Sequence, residues 1–228
     1  MKRSIKIWHV GVACLATVFA TQSANAATVF NNSTTDLLTR FDPAAFEVGD
    51  EIVLQGFERY ITSFTFQYWG EGLSGGEQVQ VKFYPNDGPL VSLAASPGIA
   101  FYDSGPFSIG NTVRSTILLD SATLAENLLN PGQPVLAPSS FTWSVQFFNV
   151  AGAEKAGVDL YDPPSTGIDY NSYWEKDPLN GWLLKTNAFS IPMNFGARVE
   201  AVPEPNTVAL GLGGALLVFL FRAGMRRK

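Results

Sequence analysis

Apolar and polar residues alternate along several separate stretches of this chain, and that period of two constrains its fold more than any other feature. In residues 61–68, Phe64, Phe66 and Tyr68 share one face while Thr65 and Gln67 take the other; in 78–83, Val79, Val81 and Phe83 oppose Gln78, Gln80 and Lys82. Phe141, Trp143, Val145 and Phe147 alternate with Thr142, Ser144 and Gln146, and Phe195, Ala197, Val199 and Ala201 with Asn194, Arg198 and Glu200. Successive side chains of a strand leave on opposite faces, so each stretch predicts a half-buried strand. Shorter candidates lie at 52–54, 100–102, 115–119 and 158–161.

Turn formers separate these segments: Gly-rich residues 70–76, Pro85-Asn86-Asp87-Gly88, Gly105-Pro106, Asn130-Pro131-Gly132 and Asp162-Pro163-Pro164. Seven to nine strands with polar outer faces predict an all-β fold, an antiparallel two-sheet β-sandwich of jelly-roll-like form, with a closed barrel as the alternative. Residues 121–129 are the one helix-permissive stretch, and 27 to about 45 read as an irregular lead-in. No fixed-period repeat or second composition regime interrupts residues 27–202, so they read as one domain.

The two ends differ from this body. Lys2, Arg3 and Lys6 precede an apolar run at 7–20, and Ala24-Asn25-Ala26 supplies a small-x-small cleavage site before Ala27. Residues 1–26 are therefore predicted to be a secretory signal peptide, cleaved by signal peptidase after passage through the general secretory translocon. The chain's one Cys and one His, Cys14 and His9, both lie inside it. The exported form then has no Ser-His-Asp or Cys-His catalysis, no histidine-based metal site, no redox thiol and no disulfide.

At the other end, Pro203-Glu204-Pro205 precedes a charge-free run at 207–221, and Arg222, Arg226, Arg227 and Lys228 close the chain. The run alone reaches about 22 Å as a helix. Extended to Met225, with Arg222 snorkelling, it reaches about 28 Å and predicts one transmembrane helix. The basic cluster would stay cytoplasmic, placing 27–202 outside the inner membrane.

The combination of Pro203, Glu204 and Pro205, a short apolar helix containing Gly211, Gly213 and Gly214, and the Arg222–Lys228 basic stop resembles the PEP-CTERM sorting signal over residues 203–228. The resemblance implies export, retention in the inner membrane with the domain in the periplasm, and processing near the motif by an exosortase. Release to the cell surface or matrix would follow, in a host that makes exopolysaccharide. The three motif residues would be a recognition sequence and not a catalytic site. A permanent single-pass anchor is the alternative, and the two differ in the mass of the surface form. The stretches Phe83-Tyr84-Pro85-Asn86-Asp87-Gly88, Phe101-Tyr102-Asp103-Ser104-Gly105-Pro106 and Phe141-Thr142-Trp143-Ser144-Val145 also look like the β-sandwich ectodomains of such proteins. That likeness implies the fold and no defined activity.

The whole chain carries a net charge of −5, but residues 27–202 hold 19 acidic against 8 basic side chains, a net −11. That field disfavours nucleic acid and anionic lipid as partners. Carboxylates are plentiful (Asp159, Asp162 and Asp169, or Asp50 and Glu51), yet no spacing singles out the pair a glycoside hydrolase needs. There is no EF-hand or nonapeptide calcium pattern, so no metal or cofactor is assigned; a loop calcium site at Asp159, Asp162 or Asp169 stays open. The segment 167–182 sets Tyr170, Tyr173, Trp174 and Trp182 among polar residues and reads as a loop or short hairpin. Rings beside hydrogen-bonding groups suit a sugar, though rings plugging one end of the sandwich fit the same pattern. The expected function is a non-enzymatic surface or matrix protein associated with exopolysaccharide. A carbohydrate-binding module using those four rings is the alternative, and a carboxylate-only hydrolase comes third.

Overall fold

The computed structural model describes residues 25–186 and 191–204. The chain lays down β1 (Ala27–Asn32), β2 (Asp36–Phe41), β3 (Glu47–Val53), β4 (Tyr60–Glu71) and β5 (Gln78–Pro85), then the short β6 (Leu90–Val91), β7 (Ala94–Ala95), β8 (Tyr102–Asp103) and β9 (Phe107–Ser108). It continues through β10 (Thr112–Asp120), α1 (Ser121–Ala125), β11 (Val135–Leu136), β12 (Ser140–Phe148) and β13 (Lys155–Tyr161). β14 (Ile168–Asp169), β15 (Ser172–Asp177), β16 (Gly181–Thr186) and β17 (Ala197–Val202) complete it.

These strands form two large antiparallel sheets, an all-β sandwich. The first sheet runs β1-β17-β4-β13-β2 with β10 and β11 also on β4; the second runs β16-β15-β3-β12-β5-β8 with β14 on β3 and β9 on β5. In the first sheet β17 and β13 share one edge of β4 while β10 and β11 share the other, as the register requires: Phe64 pairs with both Val199 and Leu119, and Tyr68 with both Val158 and Ser115. In the second, β12 takes one edge of β3, and β14 and β15 divide the other.

The period-two stretches supply the interior. Phe64 and Phe66 of β4 cross the gap between sheets to Trp143 of β12, at ring separations of 5.2 and 5.7 Å, and Phe64 also meets Phe83 of β5 at 4.9 Å. All four are fully buried. Aromatic burial of this kind drives the sheets together, each ring contributing roughly 1.5–3 kcal/mol by area alone.

The expected strands at 61–68, 78–83, 115–119, 141–147 and 158–161 fall within β4, β5, β10, β12 and β13. Two expectations, the irregular lead-in and the strand count, are corrected. The lead-in at 27 to about 45 is β1 and β2, which cover the two ends of the first sheet. Of the two readings of 167–182, the hairpin is the one seen: β14 is followed by a regular β15–β16 hairpin whose turn is closed by Asp177 Oδ1, accepting from the Leu179 and Asn180 amides at 2.8 Å. The described residues hold more strands than seven to nine because many are two-residue pairings along the edges of long ones. The helix-permissive stretch 121–129 holds one short helix, as expected: Asp120 caps it through the Thr123 amide at 2.9 Å, and it ends at Ala125.

Among the described residues no helix is long and apolar enough to cross a membrane. The expected span at 207–221, Pro205, the basic stop Arg222, Arg226, Arg227 and Lys228, and the signal peptide through Ala24 lie outside the described residues.

Candidate functional site

Period two turns every second residue of the second sheet outward. With Val48, Asp50 and Ile52 of β3 inside, Glu47, Gly49 and Glu51 face out. Beside them on β12 and β5 stand Thr142, Ser144, Lys82 and Tyr84, by register. On the hairpin, Trp174 lies opposite Gly49 and Leu184, and Lys176 opposite Glu47 and Trp182. The result is a polar face inlaid with rings.

Glu47 is its hub. Its carboxylate accepts from the Tyr84 hydroxyl at 2.6 Å, Ser144 Oγ at 2.7 Å and Lys176 Nζ at 3.1 Å. Burial alone would raise its pKa, but these hydrogen bonds and the charges of Lys82 and Lys176 outweigh it and hold the group below the usual carboxylate range. Burial and the Glu47 charge push the Tyr84 phenol far upward, so it stays a donor. The Lys176 ammonium sits 5.4 Å from the Tyr84 ring and 5.2 Å from the Trp182 ring, and the two rings meet edge to face at 5.3 Å.

A second polar cluster lies along the same face. Asn86 donates to Ser140 Oγ at 2.8 Å and accepts from Thr142 Oγ1 at 2.7 Å, and Ser140 Oγ donates to Glu51 at 3.2 Å. Burial raises Glu51, against these hydrogen bonds. A groove of about 580 Å³ opens here, lined among others by Glu51, Asn86, Asp87, Ser140, Tyr170 and Leu184. The β6–β7 hairpin borders it through Ala94 and Ala95.

The four rings expected to act together are divided by the hairpin's alternation. Tyr173 turns inward and packs on Phe41 at 4.9 Å and Phe195 at 6.3 Å. Trp174 faces out but is buried. Trp182 and Tyr170 keep exposure on the outer face and in the groove. Lys176, one of the polar residues of the 167–182 segment, and Tyr84, which sequence reasoning did not place at a site, join Trp182; the only signal for Tyr84 was its outward position beside the inward Phe83.

The carboxylates separate as well. Asp50 and Glu51 point to opposite faces of β3, and Asp50 is fully buried. Asp159 lies on the other sheet, where burial raises its pKa against Arg114, 3.4 Å away, and Arg40 at 3.7 Å. Asp162 accepts from Asn194 Nδ2 at 2.8 Å. Asp169 does come to Asp50: the two carboxyls face each other, and burial raises both. Of the expected sorting motif, Pro203 lines a separate, mostly apolar pocket of about 390 Å³ with Tyr60, Leu124 and Val135, and Glu204 is half-buried.

Comparison with known proteins returns no matching family model, no matching curated protein and no matching solved structure.

Proposed function

We propose that this chain is an exported, membrane-retained surface or extracellular-matrix protein, non-enzymatic, that associates with exopolysaccharide through the outer face of its second sheet. The observation that carries the binding reading is the side-by-side placement of the Tyr84–Lys176–Trp182 cluster and the Glu51–Asn86–Tyr170 groove. A pyranose offers an apolar face that stacks on a ring and a rim of hydroxyls that need both donors and acceptors. Trp182 and Tyr170 supply rings, and Asn86, Ser140, Glu51 and Lys176 supply the polar partners.

The addressing part of the proposal rests on the two terminal segments. In this reading the chain passes the secretory translocon, loses residues 1–26 and is held in the inner membrane by 207–221. An exosortase then acts near Pro203, Glu204 and Pro205. Two features support it: β1 begins at Ala27, directly after the expected cleavage site, and β17 ends at Val202, directly before the motif. The jelly-roll-like description belongs to the same proposal.

The test is a titration of matrix polysaccharide into the full chain, followed by tryptophan fluorescence. A saturable change that Trp182→Ala removes is the expected result. No change in the wild type, or an equal response in Trp182→Ala, overturns the binding reading. Mass spectrometry of the surface form tests the addressing: a mass that still includes 207–228 favours the permanent anchor.

A further inference from the structure

The sandwich has two ends, and the one from which β17 leaves exposes apolar side chains on both sheets. Val202, the last residue of β17, pairs with Tyr60, and its carbonyl accepts from the Arg59 amide at 3.1 Å. The turn before Arg59 therefore projects past the end of β17. Its Phe57 is 66% exposed, more than any other phenylalanine among the described residues. The turn is braced: Gly56 takes a φ of 73°, the Arg59 guanidinium donates to the Gly56 and Glu58 carbonyls at 2.8 and 2.6 Å, and the Phe57 amide donates to the Glu58 carboxylate at 3.1 Å.

Three more exposed apolar side chains stand at this end. Leu136 of β11 lies opposite Tyr60. Ile168 of β14 lies opposite Val53, the last residue of β3, from which the chain runs into the Phe57 turn. Ile99 follows Gly98, whose amide donates to the carbonyl of Pro85, the last residue of β5, at 2.9 Å. The first sheet thus supplies Leu136, the second Ile168 and Ile99, and Phe57 sits on the turn that joins the sheets. The apolar pocket lined by Val202 and Pro203 opens beside them. The opposite end exposes Phe46, Val113 and Leu179 as well, but β17 does not leave there.

Between Val202 and the charge-free run at 207–221 stand four residues, Pro203 to Asn206. However they are arranged, the five residue steps from Val202 to Thr207 reach at most about 17 Å. In the addressing reading, on which this inference rests, the run lies in hydrocarbon and a headgroup layer takes up about 6 Å of that reach. The exit end is then within about 11 Å of the headgroups, and the Phe57 turn projects from it. We propose that this end, with Phe57 foremost and Leu136, Ile168 and Ile99 around it, is a contact surface for a phospholipid bilayer interface, where apolar side chains bordered by polar groups are accommodated. Charge selects zwitterionic lipid: Glu58 and Glu204 flank Arg59, and residues 27–202 carry a net −11. Trp182 is left free, because it pairs with Lys176 beside Glu47, the first residue of β3, about 20 Å along the strand from Val53. Bilayer and polysaccharide can be held at once.

The test places a fluorophore on a single engineered cysteine of the full chain, in a Cys14→Ser background, reconstituted into phosphatidylcholine vesicles that contain a lipid spin-labelled near its headgroup. A label at Phe57→Cys is expected to be quenched at least about threefold more than one at Leu179→Cys, on the hairpin turn at the far end. Both positions are exposed, so labelling leaves the core intact. A label at Leu136→Cys should lose about half of its quenching when Phe57→Asp is added. Protection of 207–221 from added protease reports separately on the anchor. Protection with equal quenching at positions 57 and 179 overturns the contact and gives the patch to a protein or to a second copy of the chain. Quenching at position 136 that ignores Phe57→Asp also overturns it, since the tether alone would then hold the end near the lipid. A run at 207–221 that stays open to protease removes the addressing reading, and this contact with it. None of these outcomes bears on the Trp182 titration.

Discussion

Ala27 and Ala201 lie directly opposite each other in adjacent antiparallel strands, β1 and β17. The first residue after the expected signal cleavage and the second-last before Pro203 therefore meet at one corner of the first sheet. β1 holds that corner through Val29 and Phe30, which are buried side by side because the pairing slips between Thr28 and Phe30. Phe30→Ala should cost about 3–5 kcal/mol in urea unfolding, the range for removing a fully buried Phe. A loss under about 1 kcal/mol would mean that β1 is an ornament on the sheet.

Glu47 gives the fold a pH dependence of known sign. Its pKa is depressed in the folded state, so its contribution is present above the unfolded value near 4.3 and is lost as pH falls through the lower folded value. Glu47→Gln should cost about 1–3 kcal/mol at pH 7, since Tyr84, Ser144 and Lys176 lose a charged acceptor. The difference between variant and wild type should shrink as pH drops below 4. Urea melts at pH 7 and pH 3 check both parts; an equal gap at the two values would remove the charge from the explanation.

On the proposed polysaccharide face, Trp182→Ala should weaken binding about 5- to 30-fold, equivalent to roughly 1–2 kcal/mol of lost ring contact. Because Trp182 is only half-buried, its removal should leave the far-UV circular dichroism unchanged. Tyr173→Leu, altering a ring that faces Phe41 and Phe195, should act on stability and leave affinity intact. Isothermal titration and thermal melts of the two variants separate these roles.

Gly157 of β13 should not tolerate a side chain. A Cβ there would come within 2.0 Å of the Phe41 carbonyl oxygen and 2.9 Å of Trp69 Nε1. Gly157→Ala should push β2 away from β13 and cost about 3 kcal/mol, with faster hydrogen exchange at the Val158 amide. Unchanged exchange at Val158 would show that β2 shifts without breaking its pairing.

The strands β4, β5 and β12 were legible because apolar and polar side chains alternate along each; in β4 and β5 the polar face is also the wetter one, whereas in β12 both Thr142 and Ser144 are buried. β1 and β2 were not. The slip in β1 puts Val29 and Phe30 inside together, and in β2 Leu38 takes a positive φ of 54° and stands 87% exposed, so neither keeps a period of two. The start of β3 reads Glu-Val-Gly-Asp, a turn by composition, yet all four residues are buried. Glu47 and Asp50 are polar there because each serves a polar cluster, and Gly49 is small because a Cβ would meet Thr142 Cγ2 at 2.6 Å. The aromatic segment was found, but sequence proximity grouped four rings that a hairpin's alternation divides between two faces.

The placement of β17 between β1 and β4 has a mechanical consequence. If the chain is tethered beyond Val202 and held by a ligand on the opposite sheet, the load enters along the axis of a strand bonded on both sides. Its hydrogen bonds then resist in parallel, sharing the force instead of opening one after another. A tether on a free edge strand would peel; this one has to slide an interior strand past two neighbours before the sandwich yields.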